Sequence, residues 1–410
     1  MNGRQVLPES EFHLNGPHAS AGYESRWFSF SGRDAETGEE RSFFIEFFMC
    51  NPALGSEKPV FGQPACTPRR RSKEPVPLKQ PSYLMVNAGS WGKGAAQLHK
   101  FFAWDKVEMN ETAPFQLSAG DCFLSDDATC GCVKVSPDEA SSRKEMMSGG
   151  GEMAWRLVME KKVGSRFSGG SWEADGMKTF FKGQVRWNGR LFNVSPRNCY
   201  GYSDKKWGQD FVAPWLWIKG SDIKSKKEGK YLKNSAFAIG CDGTQALVSS
   251  GRNEGIRAAF SHEGKWYDAS AVKLRALART EFECSESKSA VNWHFEQGSL
   301  FTRIVADIIC TKRDMVIMNY ESPDGARRHR RLWIGGTGTG KIRLYRLGRL
   351  VDEFSVKHVG CEYGETGRPS PAEERAAVAR QARAKRPSRQ GPKNGAEAQT
   401  LVQETNKSEK

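Results

Sequence analysis

The sequence offers little to the common catalytic plans. Its seven histidines are scattered, with no HExxH pairing for zinc. A GxSxG nucleophile elbow is missing, although a Ser-His-Asp triad assembled by folding stays open. One run, "GGTGTGK" from Gly335 to Lys341, looks like a phosphate loop, but Ile342 follows where the magnesium-binding Ser or Thr belongs. The next residues, "KIRLYRL", alternate as a strand does, so a glycine-rich bend or bulge between two strands is expected instead. The only close cysteine pair, "CGC" at Cys130 to Cys132, has one intervening residue and no second Cys/His pair nearby. Metal binding is therefore not expected. No apolar run reaches the length of a membrane span. The opening "MNGRQVLPES" lacks the apolar core of a secretory signal. A cytoplasmic location, with the ten cysteines reduced, is the expectation.

What is present points to β structure. A chain of 410 residues is too long for one hydrophobic core, so two domains are expected. Glycine is abundant at 42 residues and aromatics reach 11%, which favours strands and tight turns over long helices. The net charge of +14 is compatible with nucleic acid, an anionic membrane surface or plain solubility. Its basic runs are short and separated: Arg69 to Lys73, Lys224 to Lys230, and Arg327 to Arg331. They read as solvated loops, and without a recognisable nucleic-acid module around them no nucleic-acid partner is expected.

Hairpins repeat along the chain. "KGQVRWNGRLFNV" turns at Asn188-Gly189, "AIGCDGTQALVSS" at Asp242-Gly243, and "AAFSHEGKWYDAS" around Glu263-Gly264. "RSFFIEFFMC" reads as a buried strand, whereas "EMAWRLVMEKK" is open between strand and helix. The polar stretch from Ser136 to Gly151 reads as a surface loop. Together these features predict an all-β protein of antiparallel barrels or sandwiches. One domain is placed at 1–195 and a second at 196–362. From 363 to 410 the composition is polar, and a disordered tail with a transient helix at Ala372 to Ala384 is expected.

The densest chemistry lies in "YGYSDKKWGQDFVAPWLWIKG", Tyr200 to Gly220. Rings surround Asp204 there. In the plain reading Trp207, Trp215 and Trp217 are core residues and Asp204-Lys205 is a turn. In the sharper reading the rings line a dry pocket into which Asp204 projects. A carboxyl in apolar surroundings stays protonated near neutrality, and ring faces stabilise a carbocation. Protonating an alkene requires both.

"YSDKKWGQDFVAPWLWIKG" resembles the signature of the tocopherol cyclase-like family, and "GYESRWFSFSGRDAETGEERSFFIEFFMCNP" is similar to that family's opening strands. "GGTGTGKIRLY" is similar to a late glycine-rich strand, and the resemblance spans Gly22 to Val359. It implies two consecutive lipocalin-like β-barrels and a cofactor-independent reaction. In that reaction a prenylated hydroquinone is protonated at its alkene and closes to a chromanol. It further implies Asp204 and Tyr202 as catalytic residues, with Trp172, Trp207, Trp215, Trp217 and Trp27 lining the substrate site. Asp204 stands where the family usually has Glu, and Ser171 where plant-like members have His. The implied partner is a hydrophobic prenyl lipid, with peripheral contact to a membrane. Non-catalytic lipid binding is the rival reading.

Overall fold

The computed structural model describes residues 12–62, 79–110, 114–165, 170–211, 215–241, 256–269, 279–298, 301–325 and 328–364. The turn at Asp242-Gly243, the run Arg69 to Lys73, Pro214 and the tail beyond 364 lie outside them.

Within the described residues the fold is all-β, built from two barrel-like antiparallel sheets. Twelve strands between Tyr23 and Gly208 form the first sheet, and eleven between Trp215 and Gly364 form the second. The last strand of the first sheet, Gly201–Gly208, pairs with Tyr23–Asp34 and with Trp172–Trp187. The chain therefore passes from one sheet to the other between Gly208 and Trp215, beyond the boundary expected at residue 195.

Two kinds of strand can be told apart by their sequence. Gly151–Val163 and Ala290–Gly298 alternate buried with more exposed positions, as a sheet with one wet face requires. Both are strands, which settles the open segment "EMAWRLVMEKK". Glu40–Cys50, Tyr83–Ser90, Trp215–Gly220 and Val316–Glu321 are buried at nearly every position. Their inward side chains, such as Phe43, Ile45 and Phe47, fill the first barrel, while Leu216, Ile218 and Ile317 fill the second. Their outward side chains meet in a third core between the sheets, including Phe44, Phe48, Tyr83, Trp217 and Met318. A strand dry on both faces reads as a continuous apolar run, and "SFFIEFFMC" is one.

Polar contacts stitch the sheets together around this layer. Trp91 Nε1 donates to the Ile334 carbonyl at 3.1 Å, Gln97 Nε2 to that of Ile317 at 2.6 Å, and Asn51 Nδ2 to that of Pro323 at 2.7 Å. At the rim, His358 Nδ1 lies 2.7 Å from Asp222 and its Nε2 lies 2.6 Å from Glu40 of the other sheet. Burial acts to lower the His358 pKa, but the hydrogen bonds to Asp222 and Glu40 prevail and push it up to about 9.

Two loop expectations change. The stretch from Ser136 to Gly151 holds an α-helix, Pro137–Ser142, whose capping box joins Ser136 and Glu139. After it, Met146 and Met147 are buried, and Asn319 Nδ2 donates to the Glu145 carbonyl at 2.6 Å, so this stretch packs against the second sheet. The glycine-rich run is not a bend between strands. It lies inside one strand, Arg328–Arg346, with register shifts at Gly335 to Gly338 and Gly338 to Gly340. Glycine is needed there for contact: a Cβ at Gly336 would stand 2.1 Å from the Trp91 ring.

Candidate active site between the sheets

Asp204 sits in the middle of the Gly201–Gly208 strand rather than in a turn. Its cross-strand partner is Trp27, whose other partner is Glu46, which in turn faces Asn87. Directly paired residues share a face, so Asp204, Trp27, Glu46 and Asn87 form one row directed toward the opposite sheet. Tyr202 and Lys206 lie on the same face, two residues to either side of Asp204.

Three donors converge on Asp204 Oδ2: the Tyr202 hydroxyl at 2.8 Å, Trp172 Nε1 at 3.1 Å and Lys219 Nζ at 3.2 Å. Its other oxygen, Oδ1, is buried with no hydrogen-bond partner among the described residues. Lys219, from the Trp215–Gly220 strand, also donates to Glu362 Oε1 at 2.7 Å, and Lys206 donates to Glu362 Oε2 at 2.9 Å. The chain of charges Asp204–Lys219–Glu362–Lys206 is buried throughout and crosses from sheet to sheet twice.

Electrostatics divides these groups. Burial works against the Lys219 ammonium, but Asp204 and Glu362 outweigh it and raise its pKa. Burial likewise acts to raise Glu362, yet the two lysines hold it below the usual carboxylate value. Lys206 is pushed down by burial, which its pairing with Glu362 does not fully offset. Tyr202 is pushed well up, first by burial and then by the Asp204 charge. Glu46 differs from the other carboxyls. It is buried without an ion-pair partner among the described residues, and burial raises its pKa.

Ring faces already hold positive charge here. The Lys206 ammonium lies 3.8 Å from the Trp217 ring centroid and 5.1 Å from that of Trp215. Lys219 lies 4.5 Å from the Tyr202 ring and 5.4 Å from the Trp27 ring.

The expected site residues are thus partly united. Asp204, Tyr202, Trp172, Trp215, Trp217 and Trp27 share the layer. Trp207 does not join them. It lies three residues from Asp204 on the opposite face of the strand, half-buried, and its ring stacks on His13 at 3.8 Å. Lys205 also faces away and pairs with Glu173 at 2.9 Å. Asp204 was expected to project into an apolar pocket as a neutral acid. Instead it is one arm of a buried ion pair, and the crevice of about 10 Å³ that it borders with Arg26, Phe28 and Lys205 is walled by first-sheet residues alone, away from the layer between the sheets.

Lys219, Glu362, Glu46 and Tyr320 were not singled out by sequence. Glu46 and Lys219 had a signal: one charged residue in or at the end of an apolar run, as in "FFIEFF" and "WLWIKG". Such a residue must find a partner or shed its charge once the run is buried.

No family model matches the chain, and no curated protein matches it. Solved structures similar to it include an AttH-like protein of Nitrosomonas europaea, 11% identical over 88% of this chain and 99% of that one, with a TM-score of 0.40. CghA is 12% identical over 85% of this chain and 90% of its own, with a TM-score of 0.39. Kievitone hydratase of Nectria haematococca is 11% identical over 88% and 95%, with a TM-score of 0.37. Resemblances this distant carry no argument about activity.

Proposed function

We propose that the protein is a cofactor-independent, tocopherol cyclase-like enzyme that closes a ring in a hydrophobic prenyl-quinol or terpenoid substrate by protonating its alkene. The site is the layer between the sheets, with Asp204 and Tyr202 at its centre. The supporting observation is a set of buried polar atoms that have no hydrogen-bond partner among the described residues: Asp204 Oδ1, Asn87 Oδ1, and the indole Nε1 atoms of Trp27, Trp215 and Trp217. Each such atom costs about 1–3 kcal/mol if it stays unsatisfied. A ligand that is apolar along its prenyl chain and carries oxygen functions at its ring would match both the rings and these atoms. Ammonium groups already sit over Trp217 and Tyr202, and a carbocation needs the same tolerance of positive charge. Because the residues of this layer are buried against one another, substrate entry requires the sheets to part locally.

The test uses a geranyl-substituted hydroquinone in D2O. Ring closure should give a chromanol with one deuterium bound to carbon, and Asp204→Asn should slow it by about 10²–10⁴-fold, the usual range for one positioned acid–base group. Wild-type protein that yields no chromanol would falsify the reading.

A second reading, lipid binding without turnover, is favoured by the engagement of Asp204 Oδ2 with Lys219, Tyr202 and Trp172, which suits a fixed scaffold group. It predicts that co-purified lipids appear by native mass spectrometry and that Asp204→Asn retains them with no turnover in either protein.

A further inference from the structure

We infer that Glu46 is the proton donor of the proposed ring closure and that Asp204 is its proton acceptor. This rests on the reaction proposed above and assigns the two ends of its proton path.

The two carboxyls occupy one row, on either side of Trp27. Their backbone positions are two strand spacings apart, about 9–10 Å, with the Trp27 indole between them. Their surroundings are of opposite kind. Asp204 Oδ2 takes the Lys219 ammonium. Glu46 takes only neutral donors: Ser25 Oγ at 2.7 Å, the Tyr320 hydroxyl at 2.9 and 3.0 Å, and Asn87 Nδ2 at 3.4 Å. The ammonium that acts on Glu46 from a distance, Lys206, is hydrogen-bonded to Glu362. Burial raises the pKa of Glu46, although its neutral donors and Lys206 act the other way. Two carboxyls in surroundings of opposite kind on one face are the usual division between acid and base.

The step balances without a co-reactant. The Glu46 proton passes to the alkene carbon as the π pair forms the new C–H bond, leaving a tertiary cation. A phenol oxygen of the substrate supplies the pair for the C–O bond. Its proton goes to Asp204 Oδ1, the oxygen with no hydrogen-bond partner among the described residues. When product leaves, solvent returns a proton to Glu46 and takes one from Asp204, so substrate and product are isomers.

The experiment has two arms. Infrared spectroscopy of the full-length protein at neutral pH should show the carbonyl stretch of a buried, protonated carboxyl. The band should vanish in Glu46→Gln and persist in Asp204→Asn. With the geranyl hydroquinone as probe, Glu46→Gln should still bind but lose about 10²–10⁴-fold in turnover. Glu46→Asp, which keeps an acid, should restore part of it with a displaced alkaline limb. Circular dichroism and melting curves confirm that each variant folds. A band that survives Glu46→Gln, or no band at all, overturns the assignment whatever the activity. Wild-type-like turnover in folded Glu46→Gln overturns the donor role alone. Wild-type protein inert toward the probe overturns the reaction itself, and the donor role with it.

Discussion

Two neighbouring rows of the first sheet, one residue apart, show how differently its faces are used. Ser203, Phe28, Ile45 and Ala88 are paired across four strands, and so are Asp204, Trp27, Glu46 and Asn87. Both rows are buried. The Phe28 row points into the barrel, where Phe28 meets Phe181. The Trp27 row points at the other sheet and carries two carboxyls. Inside the barrel, side chains interdigitate with partners from the same sheet. Between the sheets, partners come from the other sheet, such as Glu362 for Lys206. A face that another sheet covers can therefore be dry and still hold charge, because the covering sheet brings the counter-charges.

The comparison can be broken most forcefully at Glu362. Glu362→Ala leaves two buried ammonium groups, Lys206 and Lys219, short of a partner. Removing one partner of a buried pair costs about 3–5 kcal/mol, readable as a shift in the urea midpoint. A loss under about 1 kcal/mol, on the scale of a surface pair, would show that the layer is wet and the charges solvated.

The rim offers a milder test through pH. His358 bridges Glu40 of one sheet and Asp222 of the other, and its pKa is raised to about 9. A raised histidine contributes stability that is fully present below the unfolded value of about 6.5 and is lost as pH climbs through the folded value. Melting temperature should therefore fall between about pH 6.5 and 9, by an equivalent of at most about 3 kcal/mol. In His358→Gln that slope should flatten. If it persists unchanged, another group governs it.

The smallest effect belongs to Trp207, the ring on the other face. Trp207→Phe should leave turnover of the geranyl hydroquinone unchanged and move stability by no more than about 0.5 kcal/mol. A large loss of turnover would place this ring in the site after all.

The all-β class was legible because hairpin turns are local. Asn188 and Gly189 take φ of 47° and 86°, and Glu263 and Gly264 take 46° and 83°, the positive values that two-residue hairpins demand. The Asp204–Tyr202 contact was legible for the same reason, since residues two apart on a strand share a face. Alternation also carried the fate of Trp207, once the segment is taken as a strand and not a turn. The partners Lys219, Glu362, Glu46 and Tyr320 depend on how one sheet packs on the other, and no local rule brings them together. The first sheet runs past residue 195 because Gly201–Gly208 joins it by long-range pairing to Tyr23–Asp34. The capping box at Ser136 and Glu139 was readable and passed over, because the composition around it is polar.

The run "SFFIEFFMC" has a consequence for biosynthesis. During translation the Glu40–Cys50 strand leaves the ribosome long before Trp215–Gly220 and Val316–Glu321 exist to cover its outer face. In that interval a nascent sheet shows Phe44 and Phe48 to solvent, a hazard for association between unfinished chains. Glu46, free to ionise while hydrated, splits this apolar segment and acts as a gatekeeper against β-aggregation. When the covering sheet docks, burial raises the pKa of this carboxyl, so its charge is cheapest to carry while the polypeptide is incomplete.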